Sequence, residues 1–165
     1  MATRFVKQIA TGNASGNDIN NCMSLAYFKI RSFSAGDEVL FIGSFTSTID
    51  IDSGGTSGNP ITYKGVNASG VDDGTKATVT VSYTNHGIRI DVNHVLVENF
   101  ESSQTNTGNY SCFAINGSIS NNSDANDAIH LRDCIAIANG GNGDGFTIVS
   151  APNSDTKATF TRCEA

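Results

Sequence analysis

Side chains that could do chemistry are few in this chain of 165 residues, and they fall into small groups. Two acidic pairs stand out, Asp72 beside Asp73 and Asp124 with Asp127. Carboxylates facing each other across a groove can share the proton transfers of glycoside hydrolysis if they lie roughly 5 or 6.5–9.5 Å apart. Both pairs sit in loop-like stretches where Asp ordinarily serves turns, so a solvated role is the plainer reading. The histidines His86, His94 and His130 are scattered, and no Gly-x-Ser-x-Gly, Walker or His-Glu-x-x-His pattern is present. Cys22, Cys112, Cys134 and Cys163 would suffice for two disulfides or a metal site. No Cys-x-x-Cys pair occurs, however, and small buried thiols stacked in a core are the favoured use.

The elements that must position these groups are announced by a phrase that returns three times. It reads Val95-Leu96-Val97-Glu98-Asn99-Phe100-Glu101, then Ile129-His130-Leu131-Arg132-Asp133-Cys134-Ile135, then Ala158-Thr159-Phe160-Thr161-Arg162-Cys163-Glu164. Each copy alternates apolar and polar residues, then breaks step to put an apolar residue at the sixth place. Alignment superposes Val97, Leu131 and Phe160, spaced by 34 and 29 residues, and superposes Phe100, Cys134 and Cys163. Such periods belong to stacked solenoids. A second phrase precedes each copy: Gly87-Ile88-Arg89-Ile90, Cys112-Phe113-Ala114-Ile115 and Gly145-Phe146-Thr147-Ile148. One coil therefore holds at least two short strands, each stacked about 4.8 Å from its counterpart in the next coil. Helical hairpins are excluded by the absence of 3.6-residue periodicity and by the wealth of Asn, Gly, Ser and Thr.

Period 2 then turns Leu96, His130 and Thr159 outward in one column and Glu98, Arg132 and Thr161 outward in the next. Glu98 and Arg132 are expected as an exposed ion pair worth well under about 1 kcal/mol. Glu98, His130 and Arg132 are accordingly the candidate binding surface for a partner or a saccharide, with a merely solvated face as the plainer alternative.

A net charge of −6 and the lack of any Lys or Arg run argue against nucleic acid, and acidic sugars would be repelled unless a cation or a local basic patch intervened. No stretch is long and apolar enough to span a membrane, and Met1 to Lys7 is followed by no apolar signal region, so synthesis in the cytoplasm is expected. Five Asn-x-Ser sequences, at Asn13, Asn67, Asn109, Asn116 and Asn121, read as chance in an Asn- and Ser-rich chain. Phe5 to Ile9 opens as a strand; Asp18 offers an N-cap, and Ile19, Cys22, Met23, Ala26 and Ile30 recur at helical spacing to about Arg31. Residues 1–34 are thus expected to cap the coils of residues 35–165.

A longer series carries a resemblance. Ala35-Gly36-Asp37, the apolar run Val39-Leu40-Phe41-Ile42-Gly43, the alternating Thr48-Ile49-Asp50-Ile51-Asp52, and Gly55-Thr56-Ser57-Gly58-Asn59-Pro60-Ile61-Thr62-Tyr63-Lys64-Gly65 follow one another. The series resembles the first coils of the pectate-lyase-like right-handed parallel β-helix superfamily. That superfamily includes polysaccharide lyases, glycoside hydrolases and bacteriophage tailspike and other virion β-helix proteins. The resemblance implies an all-β solenoid of about five coils with a short N-terminal capping α-helix.

In one lyase family of that superfamily an Asn/Gly-rich turn before Asp-Gly-Phe supplies a calcium-ligating aspartate, and a Lys shortly after acts as base. Asn139-Gly140-Gly141-Asn142-Gly143-Asp144-Gly145-Phe146 matches the turn, which makes Asp144 the candidate calcium ligand. The Lys place falls near Ile148 or Val149, neither of which can abstract a proton, so no catalytic residue is assigned. Calcium takes six to eight oxygens, and Asp144 alone reads as a turn residue. Ala158 to Ala165 is a core strand without a cap after it, so further coils or another subunit are expected to cover that end.

Taken with the missing base, the resemblance implies a non-enzymatic structural or adhesion module of a bacteriophage virion surface: a fibre, spike or decoration protein. Its expected partners are further copies or other virion subunits and a polysaccharide, with no nucleic acid and no membrane. The alternative is a calcium-assisted polysaccharide lyase or glycoside hydrolase, or the N-terminal part of one.

Overall fold

The computed structural model describes residues 1–82, 85–105, 110–116, 129–138, 144–149 and 158–165. Within these the alternating segments are strands. They are β1 (Thr3–Lys7), β2 (Met23–Ser24), β3 (Glu38–Ile42), β4 (Ser44–Phe45), β5 (Ile49–Ile51), β6 (Ile61–Val66), β7 (Ala77–Val81) and β8 (Ile88–Ile90). There follow β9 (Val95–Glu98), β10 (Phe100–Gln104), β11 (Phe113–Asn116), β12 (Ile129–Arg132), β13 (Ile135–Ala138), β14 (Phe146–Val149) and β15 (Ala158–Thr161). A single helical turn, α1 (Leu25–Phe28), lies in the N-terminal segment.

The strands pair in parallel in three sheets: sheet A in the order β15-β12-β9-β6-β3-β1-β2, sheet B in the order β13-β10-β7-β4, and sheet C in the order β14-β11-β8-β5. Each circuit visits A, then B, then C before returning to A one level on, which makes the chain a right-handed parallel β-helix. The expected register holds. Leu131 pairs with both Val97 and Phe160, and Phe113 with both Ile88 and Phe146.

The break in step after the fourth residue of the phrase has a backbone cause. Asn99, Asp133 and Arg162 adopt left-handed φ values of 56°, 55° and 50°. At the first of these corners one residue separates β9 from β10. Asn and Asp tolerate that conformation better than branched residues do. The bend swings the chain from sheet A to sheet B, so that Phe100 and Cys134 point inward again and are fully buried. Ala77, Phe100 and Cys134 stack in that column, and Cys163 packs against the same core.

In sheet B, β7 has the expected alternation, whereas β10 runs into a stretch, Ser102 to Ser111, that its composition suggests is a loop. Strand β10 turns Phe100, Ser102 and Gln104 inward, so polar residues occupy inward places. The burial is satisfied: Ser102 Oγ donates to the Cys112 carbonyl at 3.0 Å, and the Gln104 amide donates to the carbonyls of Asn85 at 3.0 Å and Ser111 at 2.8 Å.

The N-terminal helix is shorter than its spacing suggests. Asp18 caps a turn instead, accepting from the backbone N–H groups of Asn20 and Asn21, and Ser24 becomes the N-cap of α1 through the Tyr27 N–H at 3.1 Å. Met23 and Ser24 are a strand beside β1, and β1 continues sheet A by pairing with β3. Phe28 of α1 packs edge-on against Phe41 and Tyr63, closing the core from that side. No described helix is long and apolar enough to cross a membrane.

Candidate functional site

Sheet C presents an outward row built by the same alternation. Because Ile49, Ile51, Ile88 and Ile90 are buried inward, Asp50 and Arg89 point outward directly beside each other in register. Asp52 and Asp91 follow them by two residues on the same face. Arg89 bridges the row, with one terminal nitrogen 3.1 Å from Asp50 Oδ1 and Nε 2.9 Å from Asp91 Oδ2. The other Asp50 oxygen is held by Lys29 Nζ at 3.0 Å, and Asn116 donates to Asp91 Oδ1 at 2.5 Å. Burial raises the Asp52 pKa above the usual carboxylate range, and the negative charges of Asp50 and Asp91 push it further the same way.

Loops between sheets B and C wall this floor into a cleft of about 480 Å³, within the usual size for a small-ligand site. Thr46, Ser47, Thr48 and Ser82 line it with hydroxyls, and His86 and Tyr110 line it with rings. Those rings stand edge to face at 5.4 Å. Burial lowers the His86 pKa, and its Nδ1 accepts the Ser111 N–H at 3.0 Å, so the neutral ring is the form the loop holds. Thr48 Oγ1 donates to the His86 carbonyl at 2.7 Å, and the buried Gln104 amide pins the same loops from beneath. Gly87 is required where the wall crosses the core: a Cβ there would sit 1.9 Å from Ser102 Oγ and 2.7 Å from the Cys112 carbonyl.

Of the residues expected to bind, Glu98 and Arg132 are neighbours on sheet A as the register required. Their environment differs from expectation. Glu98 is 2% exposed, so the pair is not an exposed one. Lys64, its register partner on the other side, places Nζ 3.0 Å from Glu98 Oε2, while the Arg132 guanidinium meets Oε1. Asp72, from the turn after β6, reaches over to Lys64 Nζ at 3.1 Å and accepts from Asn99 Nδ2 at 2.9 Å. The hydrogen bond from Lys64 holds the Asp72 carboxyl below its usual range. Asp73, by contrast, serves its own turn, accepting from the Thr75 N–H and the Asn67 amide.

The corner cleft that includes Glu98, Arg132 and Asp133 has a volume of about 400 Å³ and is largely self-neutralised, since Arg162 also grips Asp133 at 2.5 and 2.6 Å. His130 is exposed on sheet A beside Leu96 and Thr159, in the column next to Arg132.

Asp144 is exposed and accepts a hydrogen bond from Thr147 Oγ1 at 3.2 Å. No group of three His, Cys, Asp or Glu side chains converges among the described residues, so Asp144 would bring one carboxylate to a calcium ion. Residues 139–143 of its turn, and the Asp124 and Asp127 pair, lie outside the described residues.

The groove over sheet C escaped the sequence reading, although half of it was within reach. Ile49-Asp50-Ile51-Asp52 and Ile88-Arg89-Ile90-Asp91 have the same alternation, and aligning them puts Asp50 beside Arg89. Nothing in the sequence signals that His86, Tyr110 and Lys29 converge on that pair.

No family model and no curated protein matches the sequence. Among solved structures, the chain is similar to the crystal structure of the GH136 lacto-N-biosidase from Eubacterium ramulus, determined as a selenomethionine derivative. The match has a TM-score of 0.66 at 16% sequence identity and covers 98% of this chain. It covers 34% of that enzyme, so the chain spans about a third of its length. A likeness at that identity shows the shared β-helix fold.

Proposed function

We propose that the chain is a non-enzymatic β-helix module that holds a neutral oligosaccharide in the groove over sheet C. The observation that carries this reading is the groove itself, in which hydroxyls and the Tyr110 ring surround a carboxylate whose two oxygens are each held by a cation. A carboxylate tied in this way is a poor proton donor and a poor nucleophile, but it is a rigid acceptor for sugar hydroxyls. Arg89 and Lys29 are engaged by Asp50 and Asp91, which leaves no unpaired cation among them for an acidic sugar. The fold neighbour is by name a lacto-N-biosidase, which lends a carbohydrate context to this architecture.

Calorimetry against a panel of neutral oligosaccharides is the test. Binding is expected, and Tyr110→Ala should weaken it roughly tenfold or more by removing the ring that closes the groove. Failure of every neutral glycan, or binding indifferent to Tyr110→Ala, counts against the reading.

One observation favours a second reading, glycoside hydrolysis. Asp52 follows Asp50 by two places on the same face, next to the groove rather than in its lining, and burial with the charges of Asp50 and Asp91 shifts its pKa upward, the direction a general acid needs. Turnover of a bound glycan that vanishes in Asp52→Asn would replace the binding module with an enzyme.

The setting we propose is the surface of a bacteriophage virion, with the rod assembled as an oligomer or against other virion subunits. Circuits hydrogen-bonded in register make a stiff rod, and the resemblance of residues 35–65 points to such proteins. Purified particles that lack this chain by mass spectrometry would remove that setting.

A further inference from the structure

We propose that His86 is the positioning residue of the groove over sheet C: its neutral ring latches the wall that carries Tyr110, and a second proton on that ring unlatches it. Release of a bound oligosaccharide by mild acid would follow. That consequence rests on the sugar reading given above, whereas the latch itself does not.

The latch lies where a side chain replaces a backbone rung. Between the coils of β8 and β11, the Gly87 and Ile88 N–H groups donate to the carbonyls of Ser111 and Cys112 at 3.1 and 2.9 Å, as parallel strands do. One residue earlier the direction reverses, and the Ser111 N–H donates to His86 Nδ1 at 3.0 Å. Ser111 is 3% exposed, so its N–H depends on the imidazole as acceptor. Tyr110, the residue before it, meets the same imidazole edge to face at 5.4 Å. One ring thus holds both the backbone and the aromatic side chain of this wall.

An N–H aimed at Nδ1 requires a lone pair there, so the single ring proton is on Nε2. A second proton would have to go onto Nδ1, where it would face the Ser111 N–H, donor against donor. An imidazolium could still lie against the Tyr110 ring, but only by turning Nδ1 away from Ser111, and that is the unlatched form. The movement is local. The Ser111 carbonyl keeps the Gly87 N–H and the Gln104 amide, and its hydroxyl keeps Thr147 Oγ1 at 2.6 Å, so the coils stay stacked while the segment carrying Tyr110 is freed.

The surroundings favour the neutral ring on balance. Burial disfavours the imidazolium most, the Arg89 guanidinium repels it, and Asp91 attracts it less strongly. Lys29 and Asp50 line the same cleft as a pair at 3.0 Å, and Asp144 lies one coil beyond Ser111 in the same column of sheet C. His86 therefore titrates lower in the latched chain than its ordinary value of 6.5. The latch is complete above that ordinary value and is lost as the pH falls through the lowered one.

The first arm of the test uses no glycan. Nitrogen-15 NMR of the full chain at about pH 8 should find His86 protonated at Nε2 and bare at Nδ1. Between about pH 8 and about pH 5 the Ser111 amide, corrected for intrinsic exchange, should lose roughly tenfold or more of its protection, while the Cys112 amide, on a backbone rung to Asp144, keeps its own. In His86→Asn the amide oxygen can stand in the place of Nδ1 and takes up no proton in that range, so Ser111 protection should be equal at both pH values. His86→Ala should be poorly protected at both. A pH response shared by His86→Asn would belong to another group, such as Asp52 with its raised pKa, and would overturn the latch. So would a proton on Nδ1 at about pH 8, or unchanged Ser111 protection in the wild-type chain. The second arm repeats the calorimetry with neutral oligosaccharides at both pH values. A roughly tenfold or greater loss of affinity at the lower pH, absent in His86→Asn, supports release, and equal affinity overturns it. A chain that shows the latch but binds no neutral glycan at either pH supports the latch and counts against the sugar reading alone.

Discussion

Phe100→Ala will lower the stability of the chain by about 3–5 kcal/mol, the upper range for a large-to-small core change. The reason lies in its column. Phe100 is fully buried at the start of β10, and its register neighbours above and below are Ala77 and Cys134, both small and both fully buried. Its ring fills the space those side chains leave and meets Phe41 at 5.3 Å. Neighbours of that size cannot move in to fill the vacated volume, because each is held by hydrogen-bonded strands on both sides. Phe100→Leu, which keeps most of the volume, should cost less than about 1.5 kcal/mol. Urea unfolding monitored by far-ultraviolet circular dichroism measures both variants. Two equal and small losses would mean that the column is not continuous.

The second large effect concerns Lys64. Replacing it with Met keeps the aliphatic stem and removes the ammonium that faces Glu98 at 3.0 Å and Asp72 at 3.1 Å. Glu98 is 2% exposed, and the loss should cost about 3 kcal/mol, near the low end for breaking a buried pair because the Arg132 guanidinium stays on the other oxygen. The Arg132 side chain is 45% exposed, and water screens its charge too well to compensate fully. Adding Glu98→Gln to Lys64→Met should recover most of the loss, since no buried carboxylate is then left short of a cation. Strictly additive single and double variants, each within about 0.5 kcal/mol of wild type, would return Glu98 to the status of a surface charge.

Those two sites show what was legible in the chain and what was not. Val97, Leu131 and Phe160 announced their stacking because inward apolar residues recur at the same place in each phrase, and the register follows them. The bend to sheet B was visible only as a break in alternation, and within that sheet β7 alternates openly while β10 was hidden because Ser102 and Gln104 occupy inward places. Alternation also tells which face a side chain takes but not what lies over that face. Glu98 pointed outward as expected and is nevertheless buried, because Lys64 and the Asp72 turn close over it. The groove over sheet C fails to show for a related reason. Its floor is a matter of register, whereas His86, Tyr110 and Lys29 arrive from loops and from the α1 segment, whose meeting is tertiary.

The measurement that bears most directly on the functional reading is amide chemical-shift mapping of the isotope-labelled chain titrated with a neutral oligosaccharide that binds it. Perturbations centred on Asp50, His86, Arg89 and Tyr110, with the amides of Glu98, Asn99 and Arg132 at rest, are predicted. Shifts confined to the Glu98 and Arg132 corner, or spread evenly over the rod, would contradict the assignment of the sugar site to sheet C.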